Sequence, residues 1–270
     1  MERVLLYFTR VFIVCCRFGG DQPVFHAGRG CRVRQIMRPQ GAALQGINMR
    51  QLSEQNNFIF LTVGLVLLLL AGAAVDRFPG TMGTRVVQSS TVVVLALGVW
   101  GFRATESRFR AGIVFVVSVL LLMIAGIVLD RTGLRYTHLL VLLCFFIWVA
   151  WLAARQVLFT GTIDGNKIVG AICIYLLLGY IWALGFLFIA EVSPQAFNGL
   201  QQASWHDNFF DALYFSFVTL TTLGYGDISP AQPLARFLVI MEAVTGMFYM
   251  SILVASLVGV RMSTHTPPDS

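Results

Sequence analysis

Asp211-Ala-Leu-Tyr-Phe-Ser-Phe-Val-Thr-Leu-Thr-Thr-Leu-Gly-Tyr-Gly-Asp227, continuing into Ile228-Ser229-Pro230, is the stretch on which the reading of this chain turns. The apolar part, Phe209 to Leu223, is too short and too rich in threonine to cross a bilayer, whose hydrocarbon core takes about 20 apolar residues of helix. Long apolar runs stand on both sides, Ile168 to Ala190 before it and Leu234 to Val260 after it, the latter carrying one acid, Glu242, and Arg236 near its start. A segment so placed must enter the membrane and return, or lie buried in protein. Irregular backbone at that depth survives only where protein covers it or water fills a cavity, because lipid offers no hydrogen bonds.

Four further runs of spanning length lie upstream: Phe58 to Val75, Val86 to Phe102, Ala111 to Leu129 and Tyr136 to Ala154. The expected fold is therefore an all-α membrane protein with six transmembrane helices and a re-entrant segment between the fifth and sixth. Composition agrees, with 57% hydrophobic residues, 12% charged residues and a mean hydropathy of +0.77, where a soluble domain is about 25% charged. The net charge of +6 comes from arginines scattered between apolar runs rather than from one basic face, so no nucleic-acid partner is expected. Cys15, Cys16, Cys31, Cys144 and Cys173 are odd in number and lack metal-ligand spacing, which implies neither a disulfide framework nor a zinc site.

Cytoplasmic loops carry the excess of Arg and Lys. With both termini inside, the cytoplasmic set holds 14 of the 19 basic residues, eight of them before the first span. The external set is Arg77, Arg85, Arg131, Arg135 and Arg236. The sequence thus predicts a multi-pass protein of the cell membrane, with Glu191 to Asp227 on the outer side. Residues 1–56 are Arg-rich with no sustained helical period and are expected to form a poorly ordered cytoplasmic tail, with Met37 or Met49 as alternative starts. The apolar piece Val4 to Cys16 is broken by Arg10 and no small-residue cleavage site follows, so no cleaved signal is expected. The remaining divisions are 57–156 as a four-helix membrane domain, 157–167 as a cytoplasmic linker, 168–261 as a domain built around the re-entrant segment, and 262–270 as a short tail without a ligand-binding domain.

The segment from Asp211 to Asp227 resembles the pore helix and selectivity filter of potassium channels. Thr221, Thr222, Gly224, Tyr225, Gly226 and Asp227 match that motif by identity. The wider stretch from Gly161 to Gly259, with Gly170-Ala-Ile-Cys-Ile-Tyr-Leu-Leu-Leu-Gly179 and Leu257-Val-Gly259, looks like a bacterial ion-channel family with a single pore unit. Such a filter strips water from a cation by offering a ring of backbone carbonyls in its place, and one loop per chain implies a homotetramer. Consecutive carbonyls face one side only if ordinary and left-handed residues alternate, and Gly224 and Gly226 supply φ > 0 without a Cβ clash. By the resemblance, the carbonyls of Thr222, Leu223, Gly224 and Tyr225, closed by Gly226, hold K+ as the transported ion. No other cofactor is implied. By the same resemblance Asp211 to Leu220 would be the pore helix, with Asp207 or Ser204 as its cap and Asp211 in or near its first turn. Tyr214, Phe215 and Tyr225 would brace the filter, together with Thr221 and Asp227. The sequence departs from the family at Leu223, where Val or Ile is commoner, and at Val218, where some bacterial channels carry a glutamate that reaches the filter aspartate.

Two residues of the sixth run add to this. Gly246, 20 residues after Gly226, has the spacing of the inner-helix hinge glycine of many potassium channels, and close helix packing is the competing explanation. Glu242, four residues earlier, is a carboxylate at membrane depth, which is costly and marks a function by default. It is expected to support the filter from behind through Ser216, Thr219 or the amides near Leu223. The fourth run lacks the repeated arginines of a voltage sensor, each worth about 2.3 kcal/mol per 100 mV. Its flanking Arg135 and Arg155 read as interface anchors, and His138 and His206 as solvated interface histidines.

The resemblance implies a potassium-selective, passive, tetrameric channel in the lipid bilayer that is not voltage-gated. A weakly selective cation channel is the alternative within the pore class. A secondary transporter should show paired broken helices and an inverted repeat, whereas a single re-entrant segment is present. An enzyme finds no support: Glu242 stands alone, without a Ser-His pairing or metal-ligand cluster.

Overall fold

The computed structural model describes residues 57–75, 81–101, 106–129, 132–158, 165–201 and 205–263. The tails expected at 1–56 and, beyond Ser263, at the C-terminus lie outside the described residues, as do Cys15, Cys16, Cys31, Ser204 and the centre of the 157–167 linker.

Apolar runs without proline become helices, because a chain in lipid must satisfy its backbone polar groups internally. The order is α1 (Asn57–Val75), α2 (Thr81–Gly101), α3 (Glu106–Leu129), α4 (Thr132–Leu158), α5 (Gly165–Val192), β1 (Phe197–Asn198), α6 (Phe209–Leu220), β2 (Ser229–Pro230) and α7 (Pro233–Ser263). The fold is that of an all-α membrane protein, with one two-stranded pairing in which Phe197 faces Pro230 and Asn198 faces Ser229, antiparallel. Each long helix starts before the apolar run expected for it. α4 starts four residues before Tyr136 and takes both Arg135 and Arg155 into its end turns, and α3 begins at Glu106 rather than Ala111. Charge limits where a helix sits in lipid; it does not limit where the helix stops.

Among the described residues, the apolar parts of α3, α4, α5 and α7 are long enough to cross a membrane, while the apolar stretches Phe58–Ala73 and Gln88–Gly101 are shorter. The main core joins α1, α4 and α5 around Leu65, Phe146 and Tyr180, all 2% exposed or less. Tyr180 stacks on Phe146 at 5.4 Å and donates its hydroxyl to the Leu65 carbonyl at 2.8 Å, so α5 is pinned to both neighbours. α6 lies against α5, with Phe217 seated over Gly179, where a Cβ would overlap the ring. Only 11% of the apolar span of α3 and of α7 is buried, against 56% for α4 and α5. In α7, Phe237, Ile240, Met247 and Phe248 are all more than half exposed. α7 therefore keeps a wide apolar face uncovered in a single chain.

Candidate functional site: the segment after α6

α6 is a 12-residue helix, too short to persist alone in water, since isolated helices below about 12–15 residues are marginal. It is held by what it buries: Phe209, Ala212, Leu213, Phe215, Ser216, Val218 and Leu220. Asn208, not Asp207, occupies the N-cap position, and its side chain makes no capping bond. Asn208 instead donates to the Gln201 carbonyl at 2.7 Å, tying the helix start to the preceding loop. Asp211 stands in the first turn, where a carboxylate complements the helix dipole.

Beyond Leu220 the chain leaves the helix without losing contact with it. The amides of Thr222, Leu223 and Gly224 donate to Thr219 O (2.9 Å), Val218 O (2.9 Å) and Val218 O (3.3 Å). These bonds use up carbonyls that a helix leaves free at its C-terminus. The Thr221 hydroxyl turns back to Phe217 O at 2.7 Å. From Thr221 to Asp227 every residue is exposed, with Leu223 at 56% and Tyr225 at 66%. The backbone alternates in the sign of φ: Thr222 at +60°, Gly224 at +57° and Gly226 at +81°, with Leu223 and Tyr225 outside the positive region. The glycines were foreseeable from the sequence. Thr222 was not, because a β-branched residue at positive φ is an outlier; the two-residue period set by Gly224 and Gly226 is the signal that reaches it. Successive carbonyls of such a segment turn to a common side and offer a column of oxygens to a desolvated cation.

Asp227 closes the segment. Tyr214 donates its hydroxyl to Asp227 Oδ2 at 2.7 Å, and the Ile228 amide donates to Oδ1 at 3.0 Å. The bond from Tyr214 holds the Asp227 carboxyl below its ordinary range, and the same bond pushes the Tyr214 phenol up to about 12. Val218 leaves Asp227 without a glutamate partner, and Tyr214, one turn nearer the helix start, takes that place. Tyr214 also stacks on Tyr225 at 6.4 Å with 8° between planes. Phe215 does not join that pair. It packs with Phe186 at 5.2 Å and Phe197 at 5.7 Å, bracing α6 against α5 and β1. Leu223 points to the surface rather than behind the segment. Gly199, at φ +86°, lets the β1 loop approach so closely that a Cβ would meet the Asp227 carbonyl.

Glu242 and Gly246 both bear on α6. The Ser216 hydroxyl, fully buried, is shared between the Gly179 carbonyl of α5 at 2.8 Å and Glu242 Oε1 of α7 at 2.5 Å. Glu242 is itself 0% exposed, and its Oε2 is buried with no hydrogen-bond partner among the described residues. Of the contacts expected for Glu242, the structure brings Ser216 to it. At Gly246, a Cβ would run into the Leu220 carbonyl oxygen, the last of α6. Helix backbone thus meets helix backbone where the segment begins. Among the described residues no group of three or more His, Cys, Asp or Glu is placed to hold a metal ion.

Residues 170–262 match the ion-channel family. They take in α5 from Gly170 onward, α6, the segment after it, and α7 as far as Met262. The chain is also similar to the inward rectifier potassium channel Kirbac3.1 of Paramagnetospirillum magnetotacticum, 36% identical over 34% of this chain and 28% of that one. It is similar to the two pore potassium channel c of Oryza sativa subsp. japonica, 39% identical over 30% of this chain and 17% of that one. A third relative is the hyperpolarization-activated voltage-gated potassium channel of Methanocaldococcus jannaschii, 41% identical over 19% of this chain and 23% of that one. The chain thus spans less than a third of the length of each of these relatives. No solved structure matches it.

Proposed function

We propose that this chain is one subunit of a homotetrameric, potassium-selective channel that conducts K+ passively through the segment from Thr222 to Gly226. The observation that carries the reading is the alternation of φ at Thr222, Gly224 and Gly226 in an exposed segment fastened to the end of α6. Four such segments around an axis would replace the hydration shell of a potassium ion, with Thr221, Asp227, Tyr214, Phe215 and Glu242 fixing their position and Gly246 on the inner helix beside them. The uncovered face of α7 and the exposed filter segment are surfaces that neighbouring subunits would cover.

In this reading α1 to α5 and α7 are six crossings and α6 is re-entrant. The protein lies in the cell membrane, a bacterial inner membrane by its resemblance, with both termini cytoplasmic and Glu191 to Asp227 outside. α4 carries basic residues only in its end turns, Arg135 and Arg155, and Arg155 sits over the Trp151 ring at 5.8 Å as an interface anchor would. Gating does not depend on a voltage sensor in that helix. The test is ion uptake by liposomes holding the purified full chain. Potassium flux well above sodium flux is expected; equal fluxes select the weakly selective alternative, and no flux of either ion refutes the reading.

A further inference from the structure

The first four helices lie outside the residues that match the ion-channel family, and nothing in the filter assigns them a task. Where they approach the start of α6 they gather ionisable side chains that conduction does not use. His206 belongs to the turn before α6, and its carbonyl accepts the Phe209 amide at 3.4 Å, so it is built into the helix start. Its ring stacks on Trp205 at 3.6 Å. Trp205, 3% exposed, meets the ring of His138 on α4 edge-on at 5.2 Å. The two imidazoles are 6.4 Å apart, and His206 Nε2 lies 3.1 Å from the side-chain amide of Gln88 on α2. His138 is not the solvated interface residue that the sequence suggests, being 8% exposed, and His206 is half-buried.

The surroundings disfavour a charge on His206. α4 turns His138 and Arg135 toward it, α2 contributes the neutral Gln88, and Asp207 beside it is the acid that acts on it. Arg135 Nε is buried without a hydrogen-bond partner among the described residues. Glu191, at the end of α5, is engaged by the Trp205 amide, which donates to its Oε1 at 2.7 Å. Burial above all, and then His138, hold the His206 imidazole down to about 4, with Asp207 pulling it up and Arg135 pulling it down.

We infer that the four-helix domain reads protons on the outer side through the His138–Trp205–His206 stack and passes the result to α6, so that external acid lowers conduction. This rests on the channel reading above. Neutral His206 keeps its turn seated against α2 and α4. Once charged, it is driven toward water and carries Phe209 and the start of α6 with it, and the far end of that helix holds the filter. An imidazole at about 4 when seated and about 6.5 when released shifts the seated-to-released equilibrium by about 30-fold between pH 8 and pH 5.

The test uses the full chain in liposomes, with internal pH fixed and external pH lowered from 8 to 5. Two signals are read: K+ flux and tryptophan emission, which a charged imidazole quenches while it lies against an indole and which recovers when it leaves. In the wild type both are expected to change across this range. His206→Gln, which keeps a polar side chain facing Gln88, is expected to flatten both, and Trp205→Phe to remove the emission change. Emission that titrates and is flattened by His206→Gln, in a protein that passes no ion at any pH, supports proton reading by the stack and refutes the channel. Level wild-type emission, or a His206→Gln variant whose emission or flux titrates like the wild type, overturns the inference.

Discussion

Replacing Gly246 by alanine distinguishes a pliant point in α7 from a point of close packing, because the two predict opposite signs. In the interior of a helix, glycine to alanine gains about 1 kcal/mol through lower chain entropy in the unfolded state and a better-covered backbone. A glycine kept only for flexibility would therefore give a more stable protein on substitution. Here the new methyl would run into the Leu220 carbonyl oxygen, with Leu220 C and Cδ1 both 3.1 Å away. The oxygen belongs to backbone, so no rotamer change relieves the overlap, and α6 and α7 must separate. Overpacking of this kind costs about 1–3 kcal/mol, which leaves a net loss of about 0–2 kcal/mol per chain. Gly185 on α5 is the control: nothing stands within 4 Å of a Cβ there, and Gly185→Ala should gain up to about 1 kcal/mol. Thermal unfolding of the purified protein in detergent, with K+ flux measured in parallel, compares the two. Gly246→Ala is expected to melt below the wild type and Gly185→Ala at or above it. A Gly246→Ala protein that melts as high as Gly185→Ala, with unchanged flux, would refute the packing argument.

At Gly226, with φ +81°, alanine is strained whatever the space around it; Gly226→Ala should insert normally and conduct no K+, and normal flux would sink the filter assignment. Glu242→Gln should keep the proposed tetramer, since the amide can still bond to Ser216, whereas Glu242→Val removes the tie from α7 and leaves Ser216 only the Gly179 carbonyl, at a cost of about 0.5–1.5 kcal/mol for the lost bond. Wild-type conductance, selectivity and assembly in Glu242→Val would place the residue outside the filter support. Tyr214→Phe removes the hydroxyl that binds Asp227, so the carboxyl should return upward to its ordinary range and K+ over Na+ selectivity should fall. Because the Asp227 value is lowered in the folded protein, the wild-type bond is present above the ordinary carboxylate range and is lost as pH falls through the lowered value. An unchanged carboxyl titration by NMR in Tyr214→Phe would contradict this. With basic residues only in the end turns of α4, open probability should vary weakly with voltage, and steep activation over a few tens of millivolts in a bilayer recording would overturn that.

Hydropathy and length were enough to find every long helix among the described residues, because an apolar run in lipid has few alternatives to a helix. The ends were less legible: α4 absorbs Arg135 and Arg155, since a long side chain can reach the interface from within a helix and need not mark its end. The resemblance to a potassium-channel filter is what drew attention to Thr221 to Asp227, with Gly224 and Gly226 as the positions needing φ > 0. What it could not give was which side chain meets which across helices. Phe215 and Tyr214 are neighbours in sequence, yet one packs on Phe186 and the other binds Asp227, because adjacent residues of a helix face about 100° apart. The His138 to His206 approach spans two distant segments, and no local pattern in either encodes it. Glu242 was singled out because burial of a lone acid is costly; its partner, Ser216, was one of several donors the helical phase allowed.

The three constraints on α6 come from three directions and act at three heights. Its start is seated through His206 against α2 and α4, its middle is tied by Ser216 to Gly179 on α5 and Glu242 on α7, and its last carbonyl rests on Gly246. A helix this short does not hold its own position by propensity, so these neighbours set it. The amides of Thr222, Leu223 and Gly224 then hang from the carbonyls of Val218 and Thr219, which makes the geometry of the segment a continuation of the helix. A shift of α6 at any one support would therefore reach the segment through these bonds without any change in the segment's own residues. Under the proposed channel reading, a stimulus at the N-terminal end of α6 would alter conduction at the C-terminal end without any contact between the four-helix domain and the proposed filter.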